Sequence, residues 1–273
     1  MNGYEFPGAD RVVTADEPKP DFHVQAPLLS LPRLLGVASI GDIPNRTPYL
    51  QADRDLVRHW RQRLDSIPGF RVGIAWQGNP THPQDRFRSV PLRQFVTLSQ
   101  TDGVSLISLQ QGPGKEQVTQ QPGMMVDLIL DLPNSAAVLM NLDLVITVDT
   151  ALAHLAGAMA VPTWVVLPAA PDWRWLLDRD DTPWYPSLRL FRQRRLLVWD
   201  DVFSRVKGEL EQRLVMLQRS PAMLALPQLL DMAAKYHRAG CKHQARRVCQ
   251  RILDIDPRHA DALNLLALIA RRD

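Results

Sequence analysis

Two kinds of apolar spacing divide the chain. Between residues 71 and 191, short apolar runs alternate with helical segments. Residues 71–76, 104–109, 126–130, 144–148 and 163–167 read as strands, and residues 188–191 as a sixth. Runs that are apolar throughout, separated by helices, indicate parallel strands covered on both faces. Helices are expected over residues 91–99 with Pro91 at the first position, over residues 134–141 with Asn134 as N-cap, and over residues 150–159. Ahead of them Leu56, Val57, Trp60 and Leu64 recur at helical spacing, which predicts an amphipathic helix over residues 53–66. Residues 200–218 read as a long closing helix. The expectation for residues 51–218 is a Rossmann-like α/β domain with a parallel sheet.

The flanks follow other rules. Seven prolines (Pro7, Pro18, Pro20, Pro27, Pro32, Pro44 and Pro48) punctuate residues 1–50, where only residues 11–14 and 22–24 suggest short strands. Proline at that density disfavours long helices, so the stretch reads as the end of a domain or a linker. After residue 218, Leu229, Met232, Ala233, Tyr236, Ala245, Cys249 and Pro257 fall on positions 4, 7, 8, 11, 20, 24 and 32 of a 34-residue tetratricopeptide repeat. Leu263, Leu266 and Ala267 repeat the first three of these positions in the next unit and should continue the packing. Residues 219–273 are therefore expected to be a short all-α tetratricopeptide-like tail. A generic helical hairpin with accidental matches is the alternative.

Composition adds limits. Of 273 residues, 45% are hydrophobic and 22% charged, enough to bury a core and too apolar for global disorder. The net charge of +3 is unevenly placed: residues 220–273 carry nine Lys and Arg against five Asp and Glu. The remainder holds 23 against 24 and lacks a basic footprint, so no nucleic-acid partner is expected. Two cysteines, Cys241 and Cys249, are too few for a disulfide framework and fit a reducing, cytoplasmic compartment. The first ten residues lack a signal-peptide pattern. The most apolar stretch, residues 136–170, is broken by Asp143, Asp149 and His154 and reads as core, not as a membrane span.

Three segments could carry chemistry. In an open parallel sheet, ligands bind beyond the carboxyl ends of the strands. A strand there runs straight into Asp149-Thr150 and a helix of small residues. The free amides at that helix start, with the Thr150 hydroxyl, suit a diphosphate. Asp149 would repel phosphate, so it either caps the helix or holds a sugar hydroxyl. His154, one turn on, faces back to the strand end. A capping aspartate and a core histidine explain the same two residues without a ligand. The loop after the first strand carries Gly78-Asn79-Pro80, a tight turn, and Arg86 and Arg88, which would project to one side of an extended piece. Arg88 could clamp a diphosphate, and a solvated arginine pair is the other reading. Finally, Trp173, Trp175, Trp184 and Tyr185 lie among charges from Asp172 to Asp181 and could wall a pocket. Gly112, Gly114 and Lys115 make no Walker motif, and no GxSxG, HExxH or CxxC occurs.

Taken in series, Ile74-Ala75-Trp76-Gln77-Gly78-Asn79-Pro80, Asp85, Arg88-Ser89-Val90-Pro91-Leu92, Val148-Asp149-Thr150-Ala151-Leu152-Ala153-His154, Asp172-Trp173-Arg174-Trp175 and Pro183-Trp184-Tyr185-Pro186 carry a likeness. The chain resembles bacterial tetratricopeptide-repeat proteins with a glycosyltransferase family 9 (heptosyltransferase-like) domain, and is more distantly similar to O-linked N-acetylglucosamine transferases. The likeness covers about residues 8–200. It implies a nucleotide-diphosphate sugar as substrate, no cofactor and no metal, held by the C-terminal half of a GT-B fold. By resemblance Asp149, Thr150 and Ala151 match the turn around donor phosphate and sugar. Gly78 and Asn79 match the adjoining loop, and Arg88 falls where relatives place a lysine near the phosphates. His154 matches a recurring histidine.

A GT-B enzyme needs two Rossmann-like halves, and residues 1–50 hold at most a remnant of the first, which Pro27-Leu28-Leu29-Ser30-Leu31-Pro32 would end. The acceptor site and general base belong to that half, so no catalytic residue is assigned and little transfer by this chain alone is expected. The implied function is sugar transfer to a hydroxyl of a protein or glycan acceptor. The competing reading is a non-catalytic scaffold that binds a protein partner through its helical repeat.

Overall fold

The structure, a computed structural model, describes residues 13, 16–120, 126–128, 131–218, 226–256 and 258–270. Six strands form one parallel sheet: β1 (Phe70–Ala75), β2 (Val104–Ser108), β3 (Val126–Asp127), β4 (Leu144–Val148), β5 (Thr163–Leu167) and β6 (Leu188–Arg192). Their order is β3-β2-β1-β4-β5-β6, with the switch in direction between β1 and β4. The alternation within each strand explains why the sheet is covered twice. Leu144, Ile146 and Val148 of β4, with Val72 and Ile74 of β1, point into one core, whereas Val145 of β4 points into another. Full burial of a Val, Ile or Leu contributes about 1.5–3 kcal/mol, so strands buried on both faces anchor the domain.

The helices preceding the tail are α1 (Leu31–Leu34), α2 (Arg54–Leu64), α3 (Asp85–Arg88), α4 (Leu92–Val96), α5 (Leu132–Leu139), α6 (Ala151–Ala158) and α7 (Asp200–Gln218). Phe95 of α4 and Val202, Phe203, Val206 and Leu210 of α7 close the first core. Trp60 and Leu64 of α2 and the apolar residues of α5 close the second, on the opposite face. Asp53 caps α2, its carboxylate accepting from the amides of Asp55 and Leu56 at 2.8 and 2.9 Å.

The expected strands and long helices are present, with local differences. The cap of α5 is Asp131, not Asn134: its carboxylate accepts from the Asn134 amide at 2.9 Å. Asn134 instead accepts from the Trp60 indole at 2.6 Å, which ties α5 to α2. The helix expected over residues 91–99 shortens to α4, with Pro91 as N-cap, followed by a 3-10 turn at Thr97–Gln100. Residues 22–24 form no strand, since no neighbouring strand pairs with them and Phe22 and Val24 are exposed. Of the strand expected over residues 11–14, only residue 13 is described. Residues 129 and 130, expected at the end of β3, also lie outside the described residues.

Three further helices, α8 (Leu226–Arg238), α9 (Lys242–Ile255) and α10 (Ala260–Ala270), share a third core of Leu229, Ala233, Ala245, Cys249, Ile252, Ala262, Leu265 and Ile269. Tyr236 is half-buried against it, its hydroxyl accepting from Arg213 at 2.7 Å. Leu263 and Ala267 do not continue the packing. Both face outward because Ala262, Leu265 and Ile269 form the inner stripe and no later helix among the described residues covers the other side. Pro257 lies outside the described residues. The helices dock on the α/β part through buried Cys241, whose thiol donates to the Ala160 carbonyl, and through Arg247, which pairs with Asp143. Asp143 also accepts from the Arg71 amide at 2.9 Å, so one carboxylate joins β1 to α9.

Candidate functional site

A cleft of 1580 Å³ opens beyond the carboxyl ends of the strands and is lined by Gly78, Asn79, Arg88, Asp149, Thr150, Ala151 and His154, and by Trp173, Trp184 and Tyr185, but not by Arg86 or the buried Trp175. Its floor lies at the switch between β1 and β4, where the connecting helices diverge to opposite faces. There β4 ends and α6 begins. Thr150, not Asp149, is the N-cap of α6, in extended conformation, and its side chain makes no capping hydrogen bond. The helix start therefore presents its first amides to the cleft without a side-chain oxygen on them, an arrangement suited to an anion.

The loop after β1 is built around a buried carboxylate. Residues 85–88 form the one-turn helix α3, not an extended piece, so Arg86 and Arg88 diverge. Arg86 is exposed and stacks over Phe87, whereas Arg88 turns inward. Arg88 Nε donates to Asp85 at 3.2 Å and Nη1 donates to the Asp149 carbonyl at 3.0 Å. Asp85 also accepts from the Ser89 hydroxyl at 2.8 Å, and Ser89 accepts from the Gly78 amide at 3.0 Å. The arginine thus laces the β1 loop to the end of β4. Gly78 is required by this lacing: a Cβ there would lie 2.4 Å from Asp85 Oδ1 and 2.7 Å from Arg88 Nη2. Asn79 turns the chain outward, its carboxamide oxygen accepting from the Thr81 amide and hydroxyl.

His154 sits between three partners. Its Nε2 is 4.0 Å from Asp149, its Nδ1 is 3.1 Å from the Tyr185 hydroxyl, and its ring stacks on Trp175 at 5.2 Å and 17°. Burial lowers its pKa below the ordinary histidine value, outweighing the attraction of Asp149, and so favours the neutral ring. Tyr185 is in turn hydrogen-bonded to Tyr49, and burial first, then that bond, raises its pKa. The Tyr49 and Leu50 amides both donate to the Ala158 carbonyl, at 2.9 and 3.3 Å, fastening the Pro-rich flank to the end of α6.

Sequence reasoning missed the residue that fixes the cleft's other wall. Gln110, almost wholly buried, accepts from the amides of Trp76 and Gln77 at 3.0 Å each and donates to the carbonyls of Gln77 and Pro113. No motif marks it; its position one residue after the apolar run of β2 is its only sign. Tyr49 was equally hidden, because its role depends on a contact 136 residues away along the chain. On the far side, the loop after β5 makes a 3-10 turn, Trp173–Trp175, capped by Asp172, which accepts from the Arg174 amide at 3.0 Å. Among the described residues, no group of three or more His, Cys, Asp or Glu is placed to hold a metal ion, and no helix is long and apolar enough to cross a membrane.

Residues 115–167, from the loop after β2 to the end of β5, match the profile of Glycosyltransferase family 9 (heptosyltransferase). Protein FlbA of Caulobacter vibrioides is 31% identical over 173 residues, which are 60% of this chain and 29% of FlbA. Two solved structures show partial likeness. The E. coli ADP-heptose lps heptosyltransferase II is 16% identical over 62% of this chain and 54% of its own, with a TM-score of 0.46. E. coli heptosyltransferase WaaC with ADP is 18% identical over 59% and 50%, with a TM-score of 0.41. The chain thus carries a glycosyltransferase family 9-like segment and spans less than a third of FlbA and about half of the heptosyltransferases.

Proposed function

We propose that this chain holds a nucleoside-diphosphate sugar and, joined to a second Rossmann-like half, transfers the sugar to an acceptor hydroxyl. The β4–α6 junction carries the reading. A helix start free of side-chain caps opens into a cleft at the sheet's switch point, inside the stretch that matches family 9. In this reading the amides of Ala151 and the next residue, with the Thr150 hydroxyl, take the diphosphate. Arg88 commits Nε and Nη1 to the protein, so its phosphate contact would use Nη2. Asp149 and His154 would meet hydroxyls of the sugar. Fixed amides and a guanidinium aimed at a leaving diphosphate lower the barrier of one displacement at the anomeric carbon. The acceptor's base would come from the other half.

The organisation proposed with it is a remnant and linker over residues 1–50, the donor-binding domain over 51–218, and a tetratricopeptide-like unit over 219–273. Burial of Leu229, Ala233, Ala245 and Cys249 in one core, at the repeat's spacing, supports the last assignment.

Calorimetric titration with UDP, ADP and GDP tests the donor site. Binding by the wild type is expected, with Arg88→Ala weakening it by about 1.5–3 kcal/mol as for a charge-assisted hydrogen bond. Thr150→Val should cost less, because the backbone amides remain. No binding of any of the three at millimolar concentration overturns the reading.

A further inference from the structure

The loop after β5 presents one tryptophan inward and one outward from a single turn. Trp175 is fully buried and stacks on His154; Trp173, two residues before, is 66% exposed and lines the same cleft. Trp173 is nonetheless held. Its ring meets Trp184 edge-on at 6.3 Å and 81°, and the Arg174 guanidinium lies 5.1 Å from its centroid. Trp184 is fixed by its own indole, which donates to the Arg174 carbonyl at 2.9 Å. Arg174 is oriented by Asp172 at 2.7 Å. An indole held this firmly with most of its surface in solvent, beside an aligned carboxylate and guanidinium, provides an apolar face next to planar polar groups. A sugar ring has the matching surface: one face of C–H bonds and a rim of hydroxyls.

The chemistry of the two cleft walls decides which part of a nucleotide sugar lies there. The β4–α6 junction lies between cleft residues near β1 and β2 on one side and those of the loop after β5 on the other, so a diphosphate held there would have its two substituents on opposite sides. The β2 and β3 side offers Leu109 and Leu132 beside the carboxamides of Gln110 and Gln111, with one carboxylate, Asp131, a surface that suits a base. The β5 side offers Asp172, Arg174 and His154, which suit a ring carrying several hydroxyls. We infer that Trp173 is the platform on which the transferred sugar stacks, with Asp172 and Arg174 beside it reading hydroxyls; this rests on the donor-site reading above. Trp173 is then a specificity-determining residue for the sugar, separate from the groups that hold the diphosphate.

Titrating the intact chain with UDP, ADP and GDP, and with UDP-N-acetylglucosamine, ADP-glucose and GDP-mannose, tests this. For a nucleotide that binds, the sugar conjugate is expected to bind more tightly than the bare diphosphate. Trp173→Ala should lower affinity for the conjugate roughly five- to tenfold, the scale of one aromatic stacking contact, and leave the bare diphosphate unchanged. Trp173→Phe should keep most of the difference. An equal loss for conjugate and diphosphate would place the base on Trp173 and overturn the inference, as would no loss for either. A wild type that binds diphosphates but gains nothing from any sugar also overturns it while leaving the donor site intact. A wild type that binds none of the diphosphates overturns the donor site itself, and the platform with it.

Discussion

Gly157 lies in α6 directly behind the site, and replacing it by alanine should disturb His154 without touching it. A Cβ at Gly157 would stand 2.4 Å from Tyr185 Cγ and 2.7 and 2.9 Å from its two Cδ atoms. Ordinary contact begins near 3.4 Å, so the ring must retreat by about 1 Å, and its hydroxyl bond to His154, 3.1 Å long, cannot survive a withdrawal of that size. Overpacking costs about 1–3 kcal/mol and the lost bond about 0.5–1.5, while alanine gains about 1 over glycine inside a helix. The net loss is about 0.5–3.5 kcal/mol. Urea unfolding followed by fluorescence reads the stability, and the His154 ring signals in NMR read the release of Nδ1. Adding Tyr185→Ala to Gly157→Ala should remove the clash, so the two changes should couple in a double-mutant cycle. A Gly157→Ala variant as stable as wild type or more so, with unchanged His154 signals, would show that Tyr185 does not pin the histidine.

Acid should loosen the protein through His243 of α9. Its pKa is pushed down to about 4 by burial first and then by Arg61, Arg247, Arg246 and Arg71, whereas the unfolded value is 6.5. Between these values the unfolded chain binds more protons, so stability should fall as pH drops from about 6.5 towards 4. The loss should reach about 1–2 kcal/mol by pH 5, since the ring is half-buried, and His243→Leu should flatten that slope in denaturation curves at pH 7 and 5. Asp85→Ala should destabilise by about 2–3 kcal/mol, because Arg88 and Ser89 lose a buried partner and Arg88 keeps only the Asp149 carbonyl; thermal unfolding with Tm unchanged would refute that role.

The parts of the fold that spacing alone encodes were legible. Strands buried on both faces carry apolar residues at most successive positions, broken only by Arg71, Thr147 and Thr163, which is why β1, β4 and β5 stand out in the sequence. The start of α6 was legible as well, because a strand running into small residues requires a sharp change in the backbone. Tertiary competition decided the rest. Asn134 looks like a helix cap by type, but the indole of Trp60 claims its oxygen and Asp131 takes the cap. Arg86 and Arg88 alternate as in an extended piece, but buried Asp85 closes one turn of helix around itself and draws only Arg88 inward. Residues such as Gln110 and Tyr49 act through partners supplied by other elements, and a linear pattern does not encode those.

The carboxamide of Gln110 stands in for a missing rung of the sheet. Beyond the last paired residues of β1 and β2, it bonds the main chain of Trp76 and Gln77 on one loop and Pro113 on the next. Two loops that would otherwise fray independently are thereby fused into a single cooperative unit with the strands beneath them. The Trp76 and Gln77 amides, both bonded to Gln110, should therefore exchange with solvent only when that unit opens. The wall of the cleft between β1 and β2 is consequently built as an extension of the sheet, its two loops tied into one edge by a single side chain.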